Sequence, residues 1–398
     1  DADSEGRQRL WGRKGLVVAQ VALSLVLTII STVLFRTFQW ASAKGPGFRT
    51  DHLLMMSFDP SLTRYNDQQA QQFYKQLLDR ARSVPGVKWV ALTGSVPMSP
   101  AQDMRSIVPE GYEMPKDRTA VVVLDSVVSP GYFETLGIPI LRGRSFLETD
   151  TANTPLVAVV NEQLARQYWP HADAIGKRFR LNDAKGAWVE VVGIAQSGKY
   201  LWMGEPPTPF LYLPLGQNPN TRMTLLAHSL GDAASLVAPL REVVRGIDPN
   251  QPTYDVRTMQ ELYQMRSAVI LILDEVVGTM GMVGLALALV GLYGLMAYSV
   301  ARRTREIGIR MAIGANRASV VRMILGQGLG LVLAGLAIGL VASIAAESAV
   351  DAVFGSTRRD PIAYLIVAPA LLAVTMLAAW VPAHRASRVD PTRALRYE

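Results

Sequence analysis

The stretch "VVGTMGMVGLALALVGLYGLMAYSV", Val276–Val300, carries no Asp, Glu, Lys or Arg, and the "ARRTREIGIR" that follows it holds four arginines. A helix needs roughly 20 mostly apolar residues to cross a bilayer. A longer uncharged run that ends on a basic cluster reads as a span leaving the membrane on its cytoplasmic side. Three further runs lack charge: Gly15–Phe35, Met323–Ala346 and Ile362–Pro382. One such run could be a buried core helix, but four in one chain predict four transmembrane helices. The first exceeds the roughly 7–15 apolar residues of a signal peptide, so it is read as a span, although "ASA" at Ala41–Ala43 is a small-x-small match. Charged residues make up 18% of the chain, below the roughly 25% of soluble domains.

The distribution of charge sets the topology. Residues 1–14 hold four basic and three acidic residues, 301–322 six and one, and 383–398 four and two. The 347–361 segment holds two basic and three acidic residues, and 36–275 holds 24 of each. The net charge of +7 therefore comes from the three short segments on one side. By the positive-inside pattern that side is the cytoplasm. Nucleic-acid binding is not expected, because the basic balance reflects topology.

The fold class expected is a multi-pass α-helical membrane protein with a large mixed α/β extracytoplasmic domain inserted between helices 1 and 2. The expected segments are a cytoplasmic start (1–14), span 1 (15–35), the external domain (36–275) and span 2 (276–300). A cytoplasmic loop (301–322), span 3 (323–346), an external loop (347–361), span 4 (362–382) and a cytoplasmic tail (383–398) follow. In the external domain "HLLMMSFDP" reads as a strand, and "NDQQAQQFYKQLLDRARSV" as an amphipathic helix capped by Asn66. "KWVALTGSV" follows as a strand. The order recurs in "MTLLAHSL", "DAASLVAPLREVVRGI" and "TYDVRTM". A β-rich insert, about residues 100–218, separates the two units and contains one helix, "NEQLARQYW", capped by Asn161.

Candidate chemistry is sparse. The chain has no cysteine, which excludes disulfides, thiolate catalysis and Cys-based zinc sites. His52, His171, His228 and His384 are scattered, so no metal site is expected. There is no GxSxG elbow. "GIAQSGKY", Gly193–Tyr200, has the Gly-x4-Gly-Lys spacing of a phosphate loop, but Tyr200 replaces the metal-holding hydroxyl and a Pro-rich segment follows. It is read as a turn. Asp274 and Glu275 are read as a solvated span end. No cofactor is expected, and no catalytic residue.

The spans carry packing residues instead. No ionisable side chain lies inside them, which argues against a proton relay or ion path. Gly335 and Gly339 form a GxxxG, and Gly278, Gly281, Gly284, Gly291 and Gly294 stud span 2; such residues let helices approach closely. Between spans 2 and 3, "RRTREIGIRMAIGANRASVVRMI" places Arg303, Glu306, Arg310 and Arg317 near one helical face, with Ile307 and Met311 as an apolar neighbour stripe. The alternation at Ile307, Ile309, Met311 and Ile313 would also suit a strand. A charged loop can also be a topology anchor and nothing more.

"TREIGIRMAIGA" resembles the cytoplasmic loop of the FtsX/MacB-type ABC transporter permeases. The layout of one span, a large external domain and three spans resembles them as well. "VSPGYFETLGIPILRGRSF" and "VVNEQLARQYWPHADAIGKRFRL" look like the inserted part of the MacB periplasmic domain. The ending "PAHRASRVDPTRALRYE" looks like the acidobacterial duplicated orphan permeases, in which one chain carries two permease units. The abrupt "DADSEG" start is expected of a piece of such a chain, its C-terminal half. The resemblance implies a type VII ABC architecture in the bacterial inner membrane, with the termini cytoplasmic and the large domain periplasmic. ATP hydrolysis would reside in a separate cytoplasmic ATPase, whose motion the permease transmits to the external domain for efflux of a drug, peptide or lipid. The contact expected for the ATPase is Arg303, Glu306, Ile307, Gly308, Arg310, Met311, Gly314 and Ala315. Other implied partners are a second permease unit (an identical copy or the other half of a duplicated chain), a periplasmic adaptor, an outer-membrane channel and membrane lipid. Two other functions fit the same layout: a lipoprotein-release permease, and a non-transport scaffold or sensor regulating a cell-wall enzyme.

The charge asymmetry makes a direct prediction. With no native cysteine in the background, single cysteines at Lys14, Arg317 and Arg393 should resist a membrane-impermeant reagent in intact cells, and one at Asp183 should react. Labelling at position 317 from outside overturns the topology.

Overall fold

A computed structural model describes residues 2–115, 117–302, 309, 316–354 and 361–386. The chain forms two compact units, one of Asp1–Gln39 with Ile270–Glu398 and one of Trp40–Val269. Helix α1 (Ala2–Lys44) opens the chain.

The second unit begins with β1 (Leu53–Phe58), α2 (Asp67–Arg82) and β2 (Val87–Thr93). Helix α2 starts where Asn66 accepts from the Gln69 amide while the Gln69 side chain accepts from the Asn66 amide, a reciprocal capping box. Its Phe73, Tyr74, Leu77 and Leu78 are buried, as their spacing on one face requires. The insert comprises β3 (Asp103–Pro109), β4 (Val121–Val128), α3 (Tyr132–Leu136), β5 (Ile140–Gly143), β6 (Val157–Asn161), α4 (Glu162–Tyr168), β7 (Arg178–Leu181), β8 (Trp188–Ala195) and β9 (Phe210–Pro214). Then come β10 (Met223–Ser229), α5 (Val237–Arg245) and β11 (Tyr254–Thr258). The stretch read as one helix from Asp232 splits, with a 3-10 turn at Ala233–Leu236 before α5. Asp232 caps that turn by accepting from the Ala234 amide, and Pro239 falls within the first turn of α5, where its missing N–H costs nothing.

Strands β11-β1-β10-β2 form one antiparallel run. With α2 and α5 as connections this is a double split β-α-β arrangement, in which each unit receives a strand of the other between its own two. A single pairing, Thr93 with Val128, joins β2 to β4. From β4 the sheet continues β3-β7-β8-β6-β9, and β9 returns to pair parallel with β4, so the six strands close on themselves. Closure removes the edges of those six strands, while β5 pairs with β8 outside the ring. The inner residues, among them Ile107, Val123, Val160, Phe179, Val191 and Leu211, are part of one core.

Among the described residues, four helices are long and apolar enough to cross a membrane: Gly12–Lys44, Met259–Ala301, Ala318–Asp351 and Pro361–Arg385. The last three belong to α6 (Met259–Arg302), α7 (Arg317–Phe354) and α8 (Pro361–Ala386). These helices outrun the uncharged stretches. Residues 36–44 and 259–275, assigned to the external domain, are helical, as are 347–354 of the expected external loop and 383–386 of the expected tail. Charge marks where a chain meets the polar phase, not where its helix stops. The start of α6 is a capping box, in which the Thr258 amide donates to Glu261 and the Glu261 amide donates to the Thr258 hydroxyl.

Residues 44–265, excised, should therefore unfold cooperatively in urea with no added metal. Leu77→Ala, at a fully buried site, should lower the unfolding free energy by about 2–5 kcal/mol. Leu62→Ala, 66% exposed, should change it by less than about 0.5 kcal/mol. Loss of the transition in the excised wild-type segment contradicts this fold assignment.

Candidate functional site

Helix α1 is the inner member of its unit. Val17, Val21, Leu25, Ile29 and Val33 recur every fourth residue, and none is more than 3% exposed. Beside that stripe run Gln20, Ser24, Thr28 and Ser31, which meet Gly291, Gly284, Gly281 and Gly278 of α6, whereas a Cβ at Gly294 would meet nothing within 4 Å. A Cβ added at Gly278 would lie 2.9 Å from the Ser31 hydroxyl, at Gly281 2.9 Å from that of Thr28, and at Gly291 3.0 Å from Gln20 Oε1. The Ser24 hydroxyl donates to the Gly281 carbonyl at 2.9 Å, and that of Ser31 to the Asp274 carboxylate at 2.8 Å. Asp274, read as a solvated end, is thus held by α1.

The other flank of α1 meets α7. A Cβ at Gly335 would sit 2.8 Å from Val21 Cβ and 3.0 Å from the Val18 carbonyl; one at Gly339 would sit 3.0 Å from the Ala22 carbonyl and 3.1 Å from its Cα. The expected packing residues Gly335 and Gly339 therefore lie against α1, parallel to it, while α6 runs antiparallel on its other side. The hydroxyl stripe of α1 was not singled out in the sequence. Its signal is the spacing of Gln20, Ser24, Thr28 and Thr32, one helical turn apart within an apolar run.

Of the expected ATPase contact, Arg303, Glu306, Ile307, Gly308, Arg310, Met311, Gly314 and Ala315 lie outside the described residues. Ile309, between them, is helical and 43% exposed. Asn316 begins α7 by accepting from the Ala318 amide at 3.1 Å.

In the other unit the loop after β8 is the counterpart. Its backbone N–H groups at Tyr200, Leu201 and Trp202 donate to the Glu205 carboxylate at 2.7, 2.6 and 3.3 Å. Glu205 is buried, and desolvation holds its carboxyl above the usual range even though those three donors favour the anion. The spacing that resembled a phosphate loop thus leads into donors already occupied by an internal acid. Two segments anchor on the same loop. The Lys199 amide donates to the Pro46 carbonyl at 2.8 Å, just after α1 ends, and Arg266 near the start of α6 donates to the Leu201 carbonyl at 3.2 Å. Gly47 has φ +83, and an added Cβ would lie 2.8 Å from Gly198 Cα, so only glycine fits there.

The register of β3 on β4 sets Asp103 opposite Asp125, an unfavourable placement for like charges. Arg105 pairs with Asp125 at 2.9 Å, and Ser95 donates to Asp103 at 2.9 Å. Asp103, Arg105, Asp125 and Arg222 line a polar cleft of about 500 Å³. Burial raises the Asp125 carboxyl in spite of Arg105.

Two family matches agree with this architecture. Residues 15–243, more than half of the chain, match the family described as MacB-like periplasmic core domain, and residues 278–391 match the FtsX-like permease C-terminal family. The chain is 24% identical over 365 residues to the ABC transporter permease YknZ of Bacillus subtilis (strain 168), covering 90% of this chain and 87% of that one. It is 26% identical over 268 residues to the macrolide export ATP-binding/permease protein MacB of Chlorobium luteolum, covering 64% of this chain and 40% of that longer protein. Among solved structures, the periplasmic region of MacB from Actinobacillus actinomycetemcomitans aligns with a TM-score of 0.39 at 12% identity, over 55% of this chain and 94% of that one. The extracellular domain of YknZ aligns with a TM-score of 0.35 at 15% identity, over 52% of this chain and all of that one. The chain belongs to the family that carries the MacB-like periplasmic core domain, and is a MacB-like ABC transporter permease.

Proposed function

We propose that this permease is the mechanical element of an inner-membrane ABC exporter, with both termini cytoplasmic and the large domain periplasmic. ATP binding and hydrolysis belong to a separate ATPase subunit, and the permease carries that subunit's motion to its external domain to expel a periplasmic drug, peptide or lipid. The domains keep the boundaries read from the sequence as membrane and aqueous regions, with the helices continuing past them. The second permease unit is a further copy or the other half of a duplicated chain of the acidobacterial orphan type. A periplasmic adaptor and an outer-membrane channel complete the export path.

The observation that supports this reading best is the position of α1 and α6. The chain passes between its two units only at Gln39–Trp40 and Val269–Ile270, in these two helices, and they face each other through glycines and hydroxyls rather than interlocked large side chains. In the external unit, the residues that follow α1 and those that begin α6 are tied to the same Glu205-clamped loop. A displacement of either helix is thereby passed to the inserted barrel.

The input to this path is the 302–315 segment. Ile307 and Met311 fill a groove on the ATPase, Glu306 and Arg310 set orientation with Arg303, and Gly308, Gly314 and Ala315 allow close approach. Burying one such apolar side chain contributes roughly 1.5–3 kcal/mol. Ile307→Asp with Met311→Asp should therefore weaken capture of the ATPase by about 100-fold while insertion and external folding persist, with Glu306→Lys weaker in effect. Unchanged capture and ATP-dependent export by the double variant sinks this assignment.

The seam gives a second test with an internal control on the same helix. Gly335→Ala must push α1 and α7 apart, and overpacking of this kind costs about 1–3 kcal/mol. Gly330→Ala meets nothing within 4 Å, so it should be neutral or gain up to about 1 kcal/mol of helix propensity. The purified chain should melt lower with the first change alone, and ATP-dependent export should fall with it. Equal melting temperatures for the two variants would falsify the close contact.

A further inference from the structure

Helices α7 and α8 run antiparallel, and between the start of α7 and the end of α8 they leave a groove of about 1220 Å³. That exceeds the roughly 300–1,000 Å³ of a site for a drug-sized molecule and suits a long amphiphile. Leu325 and Leu329 from α7 and Met376 and Leu377 from α8 form its apolar walls. Leu377 is 66% exposed. Gly326 lies in the wall, and a Cβ there would meet nothing within 4 Å. From Leu329 the α7 wall runs seven residues, about 10 Å at the helical rise, to Arg322.

The chemistry changes at that end. Arg322 lines the groove and is exposed, and His384 stands across from it. Trp380 stacks on His384 with ring centroids 5.0 Å apart and planes 16° from parallel. An aromatic ring between an apolar wall and a cationic group is the arrangement found where membrane meets water. A guanidinium presents a planar fork of donors that fits phosphate oxygens. Among the described residues, no Asp or Glu lines the groove. Those residues offer a phosphate a partner and offer the ammonium of a zwitterionic headgroup none. A second copy of the chain is a poor occupant. In a two-fold dimer about the membrane normal the patch meets itself at equal depth, so Arg322 would face Arg322.

We propose that this groove is a binding site for an anionic phospholipid, with an acyl chain along Leu325, Leu329 and Leu377 and the headgroup phosphate on Arg322.

The full chain, purified in detergent, is titrated with phosphatidylglycerol and separately with phosphatidylcholine of the same acyl chains, and bound lipid is counted by native mass spectrometry. Phosphatidylglycerol should bind at least about tenfold more tightly. Arg322→Ala should weaken phosphatidylglycerol by about fivefold, the effect of one basic residue at an anionic lipid surface, and narrow its preference over phosphatidylcholine, whose phosphate loses the same partner. Gly326→Leu, built into open space, should lose both lipids without lowering the melting temperature. Equal affinity for the two lipids, or no effect of Arg322→Ala, overturns the proposal. So does formation of disulfide-linked dimers in membranes by Leu329→Cys with Leu377→Cys, which would give the groove to a second copy.

Discussion

The near-contact of three helix backbones, with α1 in the middle, is the constraint on which the arrangement depends. Inside a bilayer the lipid tails are as apolar as leucine, so burying leucine against leucine supplies little drive for association. What remains is dispersion between closely apposed backbones and hydrogen bonds that have no water to compete with. Gly281, Gly335 and Gly339 supply the first, since a Cβ there would lie 3.3, 3.0 and 3.0 Å from a backbone atom of α1. Ser24 and Ser31 supply the second. Two glycine-bearing helices on two flanks of α1 fix its neighbours, antiparallel α6 and parallel α7. The external domain is inserted between α1 and α6 in the chain, so it is held by two helices that are already paired.

Within the external unit the same economy recurs in polar form. The six-strand closure of the insert is joined to the split β-α-β sheet through one strand pairing, Thr93 with Val128. A junction that narrow needs help from side chains, and the hydroxyls give it. Thr93 and Ser126 bond to each other at 2.8 Å, and Ser126 accepts from the Ser95 amide at 3.0 Å. On the barrel side Asn161 caps α4 by accepting from the Leu164 amide, accepts again from the Phe210 amide, and donates to the Thr208 carbonyl. One buried amide thus satisfies three backbone groups from two segments, which locks the path into β9.

How much of this was legible depended on whether the signal was local. Helix α2 could be read from Asn66, Gln69 and the Phe73–Leu78 stripe because cap and face lie within a few turns of each other. The start of α6 carries an equally local signal in Thr258 and Glu261, whereas the charge pair Asp274–Glu275 marks only the membrane boundary. Strand β9, "FLYLP", follows a Pro-rich run and is buried along its whole length, so it shows no alternation to count; its place is set by parallel pairing with β4, far away in sequence. Gly335 and Gly339 stood out by spacing alone. Their partners did not, because Val18, Val21 and Ala22 are ordinary residues in an apolar helix until another backbone lies against them. Glu205 was invisible for the same reason, since its three amide donors come from a loop without periodicity.

The composition of the α1 seam bears on how such a contact can move. Interdigitated leucines must climb out of one set of grooves before entering another, which makes packed cores bistable and stiff. A face of glycines opposite small hydroxyl residues is shallow, so displacement along it meets fewer steric barriers. One of its crossing hydrogen bonds, that of Ser24, can also change partner. Thr28 and Thr32 already donate to carbonyls of their own helix, at 2.8 Å to Ser24 and 2.8 Å to Thr28. Ser24 instead crosses to the Gly281 carbonyl. A serine has the same option of turning back to the carbonyl one turn earlier, so a shift of α6 that broke the crossing bond would be met by an intrahelical one. A partner that bound one arrangement of such a seam more tightly than another would shift the balance between them.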